Sequence, residues 1–312
     1  MLTLRSILCA VDFSDQSRYA LRWAVALAVR HQSRLTVLTA VDPLLAQAAR
    51  TRFGLDLPKA EIEPALRDLM TAVLPAMTPW TPVTSIDVRV GDASDVILEA
   101  ADRERADLIV MGTHGLGGFR KLLLGSTMER VLRRTHTPLL AVPGVDAPLV
   151  ILDATGPRFE MKTILMATDF SEASINAVRW AADLAERIEV PLVLAHVVTP
   201  IVVPARWRSY VEGADEERVA HARVQLEKLS AGLADGVPRE VVASIGRPAD
   251  SIASLAEERR AGLIVMGLIG DRGALAPRPG SIAYRVLCLA QVPVLVVPPR
   301  SSSQGVPPRT SR

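Results

Sequence analysis

Short apolar runs alternate along the chain with longer stretches whose apolar residues recur every three or four positions. In the first half the runs fall at residues 5–11, 35–40, 84–90, 108–111 and 139–142, and they stop at polar or Gly/Pro signals such as Asp12-Phe13-Ser14-Asp15, Val41-Asp42-Pro43 and Gly91. Runs of this length read as strands. Between them, residues 16–31 carry Ala20, Trp23, Ala24, Leu27 and Ala28 at helical spacing. Further helices are predicted over 60–73, from a cap at Asp92 or Ser94 to about residue 105, and over 126–134. Residues 44–59 fit neither period and are expected to form a loop with a short helix, while Pro75, Pro79 and Pro82 mark a linker before the third strand. Strands alternating with helices predict a parallel sheet covered on both faces.

The pattern then runs a second time. Val11-Asp12-Phe13-Ser14 returns as Thr168-Asp169-Phe170-Ser171 (169 − 12 = 157), and Trp23 returns as Trp180 (180 − 23 = 157). Gly112-Thr113-His114-Gly115, nine residues and Gly125-Ser126-Thr127 return as Gly267-Leu268-Ile269-Gly270, nine residues and Gly280-Ser281 (267 − 112 = 155; 280 − 125 = 155). The drift from 157 to 155 requires a net deletion of two residues between these landmarks. Strands are predicted at 162–167, 192–197, 240–245, 263–266 and 294–297, and helices at 215–232, 249–260 and 281–290. The chain therefore reads as α/β, with two repeated doubly wound domains at 1–146 and 161–299, each a five-stranded parallel sheet with helices on both faces. Residues 147–160, within a Pro- and Gly-bearing stretch, are expected to be a linker, and 300–312 a disordered tail.

Composition narrows the function. The 312 residues carry a formal charge of +2 and 12 aromatic residues (four Trp, three Tyr, five Phe), which argues against nucleic-acid binding. No apolar run reaches the ~18 residues of a membrane helix, and the start, Met1-Leu2-Thr3-Leu4-Arg5, lacks the layout of a signal peptide. A cytoplasmic protein is expected, with no membrane partner. Cys9 and Cys288 can build neither a disulfide framework nor a zinc site by themselves and are expected to be buried free thiols.

Candidate chemistry gathers where apolar runs end. Glycine lets backbone approach a ligand closely, and a helix start presents unpaired N–H groups with partial positive charge, so each glycine loop suits an anion, above all a phosphate. In an open parallel sheet ligands bind beyond the carboxyl ends of strands at the switch point. If strands one and four are neighbours, Asp12 and the loop from Gly112 border one crevice and describe a nucleotide site. Each residue also has a plainer reading. Gly112 and Gly267 suit ordinary turns, Asp12 and Asp169 suit helix caps, and Arg120 and Lys121 suit solvent as well as phosphate. His114 has no nucleophile beside it and reads as a loop residue. His31, His136, His196 and His221 lack metal-ligand spacing and read as surface or packing residues.

The order Val-Asp-Phe-Ser, Ile-Val-Met-Gly-Thr-His-Gly, a nine-residue spacer, Gly-Ser-Thr and a final Thr-Pro-Leu-Leu-Ala-Val-Pro resembles the universal stress protein family in its tandem form, over nearly all of residues 5–298. The resemblance implies strand order 3-2-1-4-5, ATP as ligand, adenine and ribose near the ends of strands one and two, and phosphates on the glycine loop and the following helix. Carried over, the positions are Asp12, Val41, Gly112, Gly115, Gly125, Ser126 and Thr127, with Asp169, Val198, Gly267, Gly270, Gly280 and Ser281 in the second half. Val41 and Val198 would act through backbone. Thr113, His114, Gly117 and Gly118 complete the first loop.

The expected function is an ATP-binding regulatory or stress-response module. It is expected not to be an enzyme, since neither a P-loop nor a pyrophosphate loop is present. A nucleotide-independent interaction scaffold and a slow ATPase are the alternatives. An unidentified protein partner and a further homodimer remain open, as does Mg²⁺ beside ATP. The halves are expected to pack as a pseudo-twofold pair through their fifth strands, which would otherwise leave apolar edges. The first half is expected to hold ATP better. Its spacer has no proline and a charge of +2 from Arg120 and Lys121, whereas the second has Pro277 and Pro279, and Asp271 against Arg272 and Arg278. Asp271 is the one candidate there to hold a metal on the phosphates.

Overall fold

Every residue of β1 (Ser6–Ala10) is buried, because helices cover both faces of this strand. The computed structural model describes residues 3–74, 82, 84–115, 123–144, 149–233, 236–268 and 281–299. After β1 come α1 (Asp15–His31), β2 (Arg34–Val41), α2 (Pro43–Phe53), a π-helical turn (Pro58–Ile62) running into α3 (Glu63–Val73), β3 (Thr84–Val90), α4 (Ala93–Arg103), β4 (Leu108–Gly112), α5 (Ser126–Arg134) and β5 (Leu139–Val142). A hairpin of β6 (Val150–Asp153) and β7 (Gly156–Phe159) follows. The second half comprises β8 (Thr163–Ala167), α6 (Glu172–Ile188), β9 (Leu192–Val198), a 3-10 turn (Ala205–Tyr210), α7 (Ala214–Ala231), β10 (Arg239–Ile245), α8 (Pro248–Glu258), β11 (Ala261–Gly267), α9 (Ile282–Leu289) and β12 (Val294–Val297).

The strands of both halves form one ten-stranded sheet in the order β10-β9-β8-β11-β12-β5-β4-β1-β2-β3. Each half thus has the order 3-2-1-4-5, parallel throughout. The halves join where β12 and β5 pair antiparallel, with Leu295 opposite Leu140. This is the expected junction through the fifth strands. It covers two apolar edges at once, and the two halves share both core layers. One layer holds α1 and α6 with Trp23 and Trp180. The other holds α4, α5, α8 and α9.

The six non-glycine residues with positive φ fall into three matched pairs: Phe13 with Phe170, Gln32 with Glu189, and Arg105 with Arg260. The first two pairs are 157 apart and the third is 155 apart (170 − 13, 189 − 32, 260 − 105). The ends of β2 and β9, Val41 and Val198, are 157 apart and those of β3 and β10, Val90 and Ile245, 155 apart, so the two-residue deletion lies between β2 and β3 of the repeat, where the halves also build different connections: α2, π turn and α3 in one, 3-10 turn and α7 in the other.

Of two expectations about the connections, the loop with a short helix at 44–59 is met and the linker at 147–160 is corrected. Residues 43–53 form a helix, held by Asp42, whose Oδ1 accepts from the Leu44 N–H at 2.7 Å and the Leu45 N–H at 3.2 Å, and ended by Gly54 at φ 64. Its period was hidden because Leu44 and Phe53 are 75% and 73% exposed. Residues 147–160 hold an ordered hairpin instead of a plain linker. Its Phe159 ring lies 5.5 Å from the Trp23 ring of α1, and the Arg30 guanidinium donates to the Pro157 carbonyl at 3.4 Å. Pro75, Pro79 and the tail 300–312 lie outside the described residues. Among the described residues no helix is long and apolar enough to cross a membrane.

Candidate functional site

A cavity of about 460 Å³ opens beyond the carboxyl ends of β1 and β4, which are neighbours in the sheet. Its floor is apolar, made by Leu38, Ile97, Met111 and Met128. Its rim is polar or glycine: Asp12, Gly112, Thr113, His114, Gly115, Gly125, Ser126 and Thr127. The sequence pattern located the rim. The floor escaped it because those residues are indistinguishable from core, and the apolar positions of α4 were the one available signal.

Asp12 sits on a strained turn. Phe13 adopts φ 65, a left-handed conformation that a bulky side chain rarely takes. This lets the Asp12 Oδ1 accept from the Ser14 N–H at 3.1 Å and the Ser14 hydroxyl at 2.6 Å, while the Ser14 Oγ caps α1 by accepting from the Ser17 N–H at 3.2 Å. A Cβ added to Gly115 would lie 2.5 Å from the Asp12 Oδ2, so the glycine loop and the carboxylate touch. Gly112 is needed for a different contact: its Cβ would lie 2.9 Å from the Gln16 Cβ at the start of α1.

The loop exit is pinned residue by residue. The His114 Nε2 bonds the Leu123 carbonyl, which can only accept, so Nε2 carries the proton and the Thr113 hydroxyl faces Nδ1 at 3.0 Å. The Gly125 N–H donates to the Thr113 carbonyl at 2.9 Å. His114 is therefore a clamp on its own loop. Beyond it α5 starts at Ser126 with Gly125 as cap and with no side chain bonded to its first-turn N–H groups. Those groups open onto the cavity through Ser126, Thr127 and Met128. The wall is braced by the Arg130–Asp92 pair at 2.9 Å and by Arg134 with Asp95. Hydrogen bonds from Ser94 hold the Asp92 carboxyl below the usual carboxylate range.

Val41 is not on the cavity; Ala40 is, and the Val41 carbonyl already accepts from the Gly91 N–H at 3.0 Å. Gly117, Gly118, Arg120 and Lys121 lie outside the described residues.

The second half repeats the frame and changes the contacts. Asp169 accepts from the Ser171 N–H and hydroxyl at 3.1 and 2.6 Å, beside Phe170 at φ 64. A Gly267 Cβ would lie 2.8 Å from the Ser174 nitrogen, the same close approach to the following helix. The Val198 carbonyl accepts from the Gly246 N–H at 3.0 Å. The start of α9 differs from that of α5: Ser281 caps it, accepting from the Tyr284 N–H at 3.3 Å, and Ile282, 44% exposed, stands where the first half has Thr127. Buried Leu268 replaces Thr113. Gly270, Gly280, Asp271 and the spacer prolines lie outside the described residues. Cys288 is only half-buried, against the expectation for both thiols; Cys9 is fully buried.

Comparison with known proteins agrees with the fold and its duplication. The sequence model of the Universal stress protein family matches residues 3–143 and again 160–298. A universal stress protein of Mycolicibacterium smegmatis is 27% identical over 300 residues, covering 94% of this chain and 97% of its own length. One from Thermus aquaticus is 36% identical over 138 residues, 44% of this chain but 98% of its own. The solved structure of a universal stress protein from Archaeoglobus fulgidus shares the fold, with a TM-score of 0.62, 21% identity and coverage of 94% of this chain and 96% of that one.

Proposed function

Because the chain belongs to the universal stress protein family, we propose that its first half binds an adenine nucleotide, ATP in the first instance, and acts as a regulatory module without turnover. The observation that carries the reading is the uncapped start of α5, which opens into the 460 Å³ cavity across from Asp12. The first-turn N–H groups of α5, which meet no capping side chain among the described residues, and the helix dipole attract phosphate. Asp12 keeps Oδ2 available to accept from ribose hydroxyls, since Ser14 engages Oδ1. The apolar floor suits a purine. Among the described residues lining the cavity, the one imidazole, His114, is committed to the Leu123 carbonyl, which supports binding without turnover. Mg²⁺ enters only as the ion ATP carries, since the described residues gather no set of three side chains able to hold a metal.

The second site is the weaker one in this reading, supported by the self-capped α9 and by Ile282 in place of Thr127. Denaturing the purified protein and identifying the released nucleotide by mass spectrometry tests the ligand. Calorimetric titration of ATP tests the ordering. Gly125→Asp, which sets a carboxylate among the α5 N–H groups, is expected to remove most binding, and Gly280→Asp to remove little. The reverse result would sink the ordering, and absence of binding to the unaltered protein would sink the reading.

A further inference from the structure

The glycine loop of the first site is entered through Thr113 and His114 and left through Leu123, Leu124 and Gly125, the cap of α5. The entry is fixed to the sheet: the Thr113 N–H donates to the Val142 carbonyl at the end of β5 at 3.0 Å, and Thr113 is 2% exposed. Packing alone does not fix the exit. Leu124 is buried, but Leu123 is 49% exposed, and one buried side chain leaves the peptides on either side of it free to turn. Two hydrogen bonds to the entry remove that freedom. The Thr113 carbonyl accepts from the Gly125 N–H at 2.9 Å, and the His114 Nε2 donates to the Leu123 carbonyl while its Nδ1 accepts from the Thr113 hydroxyl at 3.0 Å. The imidazole thus spends one donor and one acceptor to bridge a sheet-anchored residue to the exit, nine positions further on (123 − 114 = 9). The Gly125 carbonyl in turn accepts from the Glu129 N–H at 2.9 Å, so the peptides held by this bridge are those that begin α5.

We infer that His114 is a positioning residue for the first site: it sets the direction of the peptides from Leu123 to Gly125 and so aims the uncapped N–H groups of α5 into the cavity before any ligand arrives. For its ligand the inference rests on the nucleotide reading above. A turn ordered in advance raises affinity because binding does not have to order it. The bridge also separates the two halves. The Leu268 N–H donates to the Val297 carbonyl at 2.8 Å, as Thr113 does to Val142 (113 + 155 = 268; 142 + 155 = 297), so the loop entry is anchored in the same way in both. The side chains at the entry differ. Leu268 has no hydroxyl, and the residue matching His114 is Ile269 (114 + 155 = 269), which has no side-chain donor. The second half cannot build this bridge from those positions, and the start of α9 is capped by Ser281.

The test compares His114→Phe, which keeps a ring and has no donor, with His114→Gln, which keeps an N–H donor, both in the full chain. Without nucleotide, hydrogen exchange of the Gly125 and Glu129 amides is expected to speed up in the Phe variant, to return toward the original rate in the Gln variant, and to stay unchanged in β1 and β8. Unchanged exchange in the Phe variant overturns the inference. Equal acceleration in both variants overturns it as well, since the donor would then not matter, and so does acceleration that spreads to β1 and β8. ATP affinity is expected to fall about 3–10-fold in the Phe variant, the size of one hydrogen bond's effect, and to recover in the Gln variant. Adenosine, which has no phosphate to meet the turn, is expected to keep its affinity in both. Equal loss for ATP and adenosine, or loss for neither, overturns the positioning role. If the unaltered protein binds neither ligand, the nucleotide reading fails, and the exchange result alone decides whether His114 positions the turn.

Discussion

Both ring nitrogens of His31, the last residue of α1, are buried without a hydrogen-bond partner. Burial, and next the Arg187 guanidinium of α6, lowers its pKa to about 4, with Asp183 of α6 opposing. The sign follows from linkage. The folded value lies below the ordinary 6.5, so the unfolded chain takes up the proton first, and stability is fully present above pH 6.5 and lost as pH falls toward 4. Urea unfolding at several pH values is expected to show a shallower acid loss for His31→Leu than for the unaltered protein over this window. Parallel slopes would refute the assignment. The sequence marked His31 only as a surface or packing residue, because its environment comes from Asp183 and Arg187, more than 150 residues away (183 − 31 = 152). Asp12 and the glycines were legible because their chemistry is local and occurs twice. Val41 carries no such local sign: its carbonyl meets the Gly91 N–H across the loop, and Ala40 beside it lines the cavity.

At the scale of elements, caps and turns were easier to read than burial. The starts of α1, α4 and α6 follow from Ser14, Asp92 and Ser171, which satisfy the first-turn N–H groups directly. An Asp-Pro start and a Gly stop were present at α2, at Asp42-Pro43 and Gly54, but its exposed apolar residues blurred the helical period. The β6–β7 hairpin was missed for another reason: it is stabilised by what it lies on. Val150 is buried and Phe159 packs on Trp23, a contact that no local pattern announces. Phe159→Ala is therefore expected to destabilise the protein by about 1–3 kcal/mol in urea titrations, below the ~3–5 kcal/mol for a fully buried Phe because this ring is partly exposed. A plain linker would show no change.

For the whole molecule, the junction of β5 with β12 determines how the halves behave apart. A chain ending at residue 146 would expose β5 (Leu139–Val142), four buried residues with an unpaired antiparallel partner position. Because an antiparallel pair can be formed by two copies of the same strand, this fragment is expected to form a symmetric dimer, with a second β5 in the place of β12. The Thermus aquaticus relative is a single domain of about this length. Light scattering distinguishes the outcomes: a monomer at micromolar concentration would show that β12 contributes more than edge pairing. The fold at this scale was legible because repetition fixes the number of domains and unpaired apolar edges fix their meeting point.

The antiparallel seam also reverses the direction of the sheet. The strands of the first half end on one rim and those of the second half on the other, so Gly112 and Gly267, which close β4 and β11, lie at opposite rims. A symmetric dimer would display the same message on both rims. Here duplication within one chain has let the rims diverge: the first-half helix α5 starts at a glycine cap, while α9 starts at Ser281, whose own hydroxyl accepts from the Tyr284 N–H.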